Sequence, residues 1–462
     1  MSASLESLAT CFQGLLPAQL YTCSRDGIPN AAFLSHVEYV DPSHVALSFQ
    51  FFNKSRRNIT ENPQALIIVP DPDTGQGWSL RLRYVRSETE GPLFDRMALR
   101  IEAIASYCGL KGVFKLRAAD VYTVLGIEAL ADETGSLCSN RPQAVAANPV
   151  FTVQALHDFG ARIQRAESLE TLVDSTLAGL EEIFGFAHSM ILVPTEEPGG
   201  LVTIATRGYP ESGVGAEARF GEGICGMVAE ARKPIRISGL MRGMLYALAM
   251  HRGHSGSRID ELRRQIRLPG LASPESQLGV PLLARDDLVG VLCIESEVPY
   301  RFHEEDKVLI ELLGSFLAIA MQNTQLREGV ADPLPPQEVG AGAASRTDAA
   351  PSAPAAARDV AYYAADECVL VDGEYLIRSL PARILWRLLT AYTGTGRRQF
   401  TNRELRLDKS LNLPEWKDNL ESRLVLLRRR LEQKCPDIRL VPSGRGRFAL
   451  EIACELNLST RP

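Results

Sequence analysis

The chain has 462 residues, 45% hydrophobic and 23% charged, with a net charge of −6. That length suits about three domains, and the composition is that of globular protein with apolar surface enough for a core in each. No apolar run reaches the roughly 18 residues of a membrane-spanning helix, and MSASLESLATCFQG lacks the basic segment of a signal peptide, so a cytoplasmic protein without membrane contact is expected.

Nine cysteines are scattered with no CxxC and no zinc spacing, so neither a disulfide framework nor a metal site is expected. Charge is uneven. From Arg358 to Pro462 there are 19 Lys and Arg against 14 Asp and Glu, a net of +5, which leaves −11 for the rest. A nucleic-acid footprint therefore belongs to the C-terminal segment alone.

In chain order, Leu20–Cys23, Ala31–Leu34, Val45–Phe49, Ala65–Val69 and Ala119–Val124 read as short strands, with Ser24-Arg25-Asp26-Gly27 and Asp41-Pro42-Ser43 as turns. Leu93–Cys108 has a helical pattern. The sequence YTCSRDGIPNAAFLSHVEYV, then HVALSFQFFNKSRRNITENPQALIIV, then a closing strand resembles the pyridoxamine-phosphate-oxidase-like FMN-binding split barrel over about residues 8–126. That resemblance implies FMN as cofactor, with Lys54, Ser55, Arg57 and Asn58 around its phosphate, and a barrel that dimerises. A phosphate is well served by cations, a hydroxyl and an amide together. The plain reading of KSRRN is a solvated turn before a helix cap. No catalytic acid, base or nucleophile stands out.

Ser139–Pro149 reads as a connection. A long amphipathic helix follows from Phe151, interrupted near Ser168, then strands at Ser189–Val193 and Leu201–Thr206. GEGICGMVAE, GVPLLARDDLVGVLCIES and FHEEDKVLIELLGSFLAIAMQNTQL come next, in an order that resembles a GAF domain over about residues 150–328. The resemblance implies an antiparallel sheet with helices and a pocket for a small-molecule effector, lidded by the long stretch from Ile237 to Ser276. Cys225, His251 and His254 are its candidate pocket residues. They are the residue types that ligate haem or iron, but single His and Cys residues more often serve as surface or core, and an apolar or aromatic metabolite is the preferred ligand. The last helix places Leu309, Leu312, Leu313, Phe316, Ile319, Ala320 and Asn323 on a broad face, part for the sheet and part for a second copy, so a homodimer is expected.

Residues 329–357 hold ten Ala, five Pro and three Gly in 29 positions, the composition of a disordered linker, and a loose tether is expected. Beyond it come a strand-like Glu367–Ile377, an amphipathic helix over Ser379–Thr393, a short helix capped by Thr401 and Glu404, and the helix Pro414–Lys434. In that last helix Leu420, Leu424, Leu427 and Leu431 form one stripe and arginines the remainder. Strands Ile438–Leu440 and Phe448–Ile452 flank a turn with Arg445 and Arg447. LPARILWRLL, FTNREL, LESRLVLLRRRLE and GRGRFALEI resemble the winged-helix output domain of OmpR-type response regulators, over residues 358–455. The resemblance implies binding of double-stranded DNA, with Lys417, Asn419, Ser422 and Arg423 of the recognition helix in the major groove and Arg445 and Arg447 of the wing on phosphate.

The whole reads as a multidomain α+β protein: residues 1–135 a split barrel, 150–328 a GAF domain, 358–455 a winged helix-turn-helix. The function expected is a one-component transcription regulator sensing a small molecule or redox state. The alternatives are an FMN-dependent oxidoreductase regulated by its other domains and a protein-binding scaffold.

Overall fold

The computed structural model describes residues 4–12, 18–34, 36–50, 54–71, 76–107, 115–130, 152–238, 266, 268–272, 274–298, 301–329, 357–411, 413, 420–444 and 446–461. Strands β1 (Ala18–Cys23), β2 (Pro29–Leu34), β3 (Val37–Asp41), β4 (His44–Phe49), β5 (Gln64–Pro70), β6 (Gly77–Glu88) and β7 (Ala118–Ala129) make an antiparallel sheet in the order β2-β1-β5-β6-β7-β4-β3. Helices α1 (Lys54–Glu61) and α2 (Pro92–Tyr107) lie in its connections. Because side chains alternate along a strand, the sheet has two apolar faces. Leu47 and Tyr122 join Leu20, Ile67, Leu80 and Leu82 on one, while Ala46, Ala119 and Val121 meet Leu93 and Met97 of α2 on the other.

The central sheet has β8 (His188–Pro194), β9 (Gly200–Arg207), β10 (Glu217–Arg219), β11 (Ile235–Ser238), β12 (Ser276–Ala284) and β13 (Asp287–Ser296) in the order β10-β9-β8-β13-β12-β11. Ile191, Val193, Leu292 and Ile294 face helices α3 (Val153–Gln164), α4 (Leu169–Phe184) and α6 (Glu304–Gly329). Their neighbours Met190, Leu192, Val291 and Cys293 face α5 (Gly223–Ala231) on the opposite side. Ser168 separates α3 from α4 because its hydroxyl caps α4 in a reciprocal box with Thr171. Ala103 and Leu99 of α2 reach the α5 side, so α2 joins the N-terminal sheet to the central one. Helix α6 buries Ile310, Leu313, Leu317 and Met321 and leaves Val308, Leu312, Phe316 and Ile319 between 41% and 56% exposed.

In the C-terminal unit β14 (Ala357–Tyr363), β15 (Cys368–Val371), β16 (Glu374–Arg378) and β20 (Glu455–Arg461) form a sheet ordered β16-β15-β14-β20, with β14 and β20 parallel. Helices α7 (Ser379–Thr395), α8 (Asn402–Leu407) and α9 (Leu420–Lys434) and a second sheet of β17 (Gln399–Thr401), β19 (Arg447–Ile452) and β18 (Ile438–Gly444) complete it. Thr401 and Glu404 cap α8 reciprocally, as their spacing predicts. The parallel pairing carries the unit to Arg461, past the boundary at 455 drawn from sequence.

A loose tether does not describe how this unit sits. Its buried core, from Val360 to Leu450, is continuous with the α3/α4/α6 side of the central domain. Helix α9 lies directly against α4 and β9. The linker composition of residues 330–356 lies outside the described residues.

Candidate functional site

The four residues of the expected phosphate set lie on α1. KSRRN forms the first turn and a half of α1 rather than a loop, and on a helix successive residues point about 100° apart. Ser55 and Asn58, three apart, therefore turn inward together. The Ser55 hydroxyl accepts a bond from Asn30 at 2.8 Å, and the Asn58 amide donates to Thr22 at 3.1 Å. Lys54 and Arg57 share the opposite, exposed side. The four residues do not converge on one anion, so they do not fit a flavin-phosphate cradle within this chain. The sequence reading passed over Arg56. Its guanidinium bonds both carboxylate oxygens of buried Asp120 at 2.7 Å and lies 4.5 Å from the centre of the Phe49 ring. A cavity of about 70 Å³ beside it is lined by Phe33, Phe49, Gln50 and Tyr122.

On the α5 side of the central sheet, Cys225 in the first turn of α5 places its Sγ 2.6 Å from Sγ of Cys293 on β13. Nearby, Glu295 accepts from the Leu271 amide at 3.0 Å and from the Gln277 side chain. Burial raises the Glu295 carboxyl, the Cys293 thiol and the Tyr209 phenol alike, so this surface favours uncharged groups. His251 and His254 lie outside the described residues. Among the described residues, no group of three or more His, Cys, Asp or Glu is placed to hold a metal ion.

A dense array of charged contacts lies behind the sheet, where α9 meets the central domain. The leucine stripe of α9 is fully buried, as its spacing predicts. Its arginines are not in solvent. Arg423, 3% exposed, donates to the Pro194 carbonyl at 2.7 Å and stands 3.3 Å from Glu196. Arg428 pairs with Glu170 at 2.6 Å, and Arg429 spans Asp174 at 2.6 Å and the Ile204 carbonyl at 2.7 Å. Arg430, 4% exposed, donates to the Leu376 carbonyl at 3.0 Å, and burial lowers its pKa. Gly215 makes room for it: a Cβ there would stand 3.0 Å from the Arg430 Cδ, and its φ of +90° already requires glycine.

Arg378, at the start of α7, adds a fork onto Glu217 and a bond of 2.9 Å to Glu197. Arg383 reaches Glu196 at 3.3 Å. Burial raises the Glu196 carboxyl, against the pull of Arg423 and Arg383.

In this docked arrangement two of the expected DNA-contact residues face the protein interior. Ser422 is fully buried and Arg423 is spent on the central domain, because residues 423 and 430, seven apart, share the face of α9 that docks there. Lys417, Asn419 and Arg445 lie outside the described residues, whereas Arg447 is exposed on β19. The sequence reading missed the acidic partners. The only signal was the acid pair Glu196-Glu197 before Pro198-Gly199-Gly200, in a region carrying most of the negative charge.

Residues 166–322 are a GAF domain, the family they match. No curated protein matches the chain. Similar solved structures include the GAF domain of a phosphoenolpyruvate-protein phosphotransferase from Coxiella burnetii, 21% identical over 38% of this chain and 96% of that one, with a TM-score of 0.29. The free methionine-R-sulfoxide reductase of Neisseria meningitidis is 17% identical over 39% and 98%, TM-score 0.29. An FMN-binding protein from Syntrophomonas wolfei is 20% identical over 25% and 76%, TM-score 0.22. Likenesses this distant leave function to be argued from the residues of this chain.

Proposed function

We propose that the chain is a one-component regulator whose GAF domain binds a small-molecule effector and whose C-terminal unit is a winged-helix domain that binds double-stranded DNA, held silent by the GAF domain until the effector arrives. The observation that carries this reading is the docking of the α9 arginines on Glu170, Asp174 and Glu196 and on carbonyls of β8 and β9. A basic helix with a buried leucine stripe is what a recognition helix requires, and here its basic face is covered by the domain that would receive the signal. Removing one partner of a buried pair costs about 3–5 kcal/mol, but separating two charged surfaces into water returns much of that as hydration. The charged part of the contact is therefore reversible, while the apolar core continuous across it makes the docked state firm.

An effector relieves the block only if it binds the undocked form more tightly, and a coupling of about 1–3 kcal/mol corresponds to roughly 5- to 150-fold in DNA affinity. The N-terminal sheet, read as a split barrel, and the exposed stripe of α6 would hold two copies together.

The test is a salt titration of duplex binding by the full chain and by Glu197→Ala/Glu217→Ala, which removes carboxylates from Arg378 and leaves every basic residue in place. The variant should bind at least about 5-fold more tightly, and adding Arg447→Ala should lower its salt slope by about 0.9. If neither protein binds duplex below about 10 μM at low salt, weaker than many non-specific binders, the DNA-binding reading fails.

A further inference from the structure

Two thiols face each other on the α5 side of the GAF sheet, and the backbone around them explains why. Helix α5 approaches closely because Gly279 of β12 lacks a side chain: a Cβ there would stand 2.8 Å from the Val228 Cγ2 and 3.4 Å from the Cys293 Sγ. Gly226 does the same at the other side of Cys225, where a Cβ would lie 2.1 Å from the Arg219 carbonyl oxygen. Two glycines thus seat α5 on the sheet at the height where Cys225 and Cys293 meet. The residues are 68 apart in sequence and on different elements, so the fold and not chain proximity pairs them. The other free cysteines among the described residues, Cys11, Cys23, Cys368, Cys435 and Cys454, belong to the N-terminal sheet and the C-terminal unit.

We propose that Cys225 and Cys293 are a modification site, a dithiol that a hydroperoxide oxidises to an intramolecular disulfide joining α5 to β13. Cys225 is the attacking sulfur. It is the more exposed, at 8% against 1%, and it sits in the first turn of α5 at the positive end of the helix dipole. Its thiolate attacks one oxygen of the hydroperoxide, the O–O bond breaks, and a sulfenic acid forms as water or an alcohol leaves. The Cys293 sulfur then attacks the Cys225 sulfur, its proton leaving with the hydroxyl as water. Two thiols lose two electrons, and the hydroperoxide is reduced by two.

Burial keeps Cys293 protonated, so it does not react first, and it deprotonates only as the sulfenic acid is displaced. The bond would close a long loop and fix α5 on the sheet. This inference does not depend on whether the C-terminal unit binds DNA.

The experiment treats the full chain with one molar equivalent of hydrogen peroxide and maps it without reduction. Thiols titrated after denaturation should fall from nine to seven, and dithiothreitol should restore them. Tryptic digestion should yield residues 220–232 linked to 286–301, two hydrogens lighter than the separate peptides. In Cys293→Ala, Cys225 should stop at a sulfenic acid trapped by dimedone. The proposal is overturned if Cys225 pairs with any other cysteine, if it runs to sulfinic acid in the wild-type chain with no linked peptide, or if Cys293→Ala still loses two thiols. Because the peptide map of the wild-type chain decides alone, a variant that folds poorly does not obscure the result.

Discussion

Glu38 of β3 shows how one carboxylate can set the acid limit of a domain. Its Oε2 lies 2.8 Å from the His36 Nε2 and 3.6 Å from Arg100, and its Oε1 lies 3.8 Å from Arg96, both arginines from α2. Burial works to raise its pKa, but the bond to His36 and the two arginines outweigh it and bring the carboxyl down to about 2. Burial lowers the pKa of His36 itself. The signs agree. An unfolded His36 takes up its proton near pH 6.5 while the folded one resists, so stability declines as pH falls below that value.

The Glu38 contribution is complete above pH 4.5 and is lost between 4.5 and about 2, worth roughly 3 kcal/mol. Glu38→Gln should therefore lower the melting temperature at neutral pH and flatten its fall between pH 4.5 and 2. Melting curves across that range check this, and a variant with the wild-type acid slope would contradict it. At this scale the sequence was a partial guide. It marked KSRRN as a polar anion-binding phrase, but the helical period sends Ser55 and Asn58 inward, and Arg56, the residue skipped, makes the buried pair.

Elements with a clear period were legible. The leucine stripe of α9 and the capping pair of α8 stand where the pattern put them. Strands whose outward residues are charged were not: β6 reads Leu80-Arg81-Leu82-Arg83, a period of two hidden in a basic run, and β14 and β20 need each other across the whole C-terminal unit. The face of α6 was split as its sequence suggested, with Leu309 and Leu313 inward and Leu312, Phe316 and Ile319 outward. If that stripe joins two copies, Phe316→Glu removes about 2 kcal/mol of burial, roughly 30-fold in dimer affinity, before counting the buried charge. Light scattering across a dilution series would show the midpoint move up by that factor. An unchanged midpoint would assign the stripe another role.

At the scale of the molecule, the sequence supplied three units and a charge asymmetry but not their arrangement. The +5 of the C-terminal segment and the −11 of the remainder were read as DNA affinity on one side and indifference on the other. Part of that asymmetry is complementarity within the chain: Arg378, Arg423, Arg428 and Arg429 meet Glu217, Glu197, Glu196, Glu170 and Asp174. Contacts between residues some 200 positions apart leave no local period, which is why they could not be seen in advance.

Helix α9 is clamped on the GAF domain by the polar contacts of its arginines beside a continuous apolar core, and the proposed release requires that it leave without unfolding either unit. Hydrogen exchange on the full chain, wild type beside Glu196→Ala/Glu217→Ala, measures this directly, because amides report local opening segment by segment. Such a clamp predicts faster exchange along Leu420–Lys434 in the variant, with β8 and β9 as protected as in the wild type. Unchanged protection of α9, or its loss together with that of β8 and β9, would contradict it.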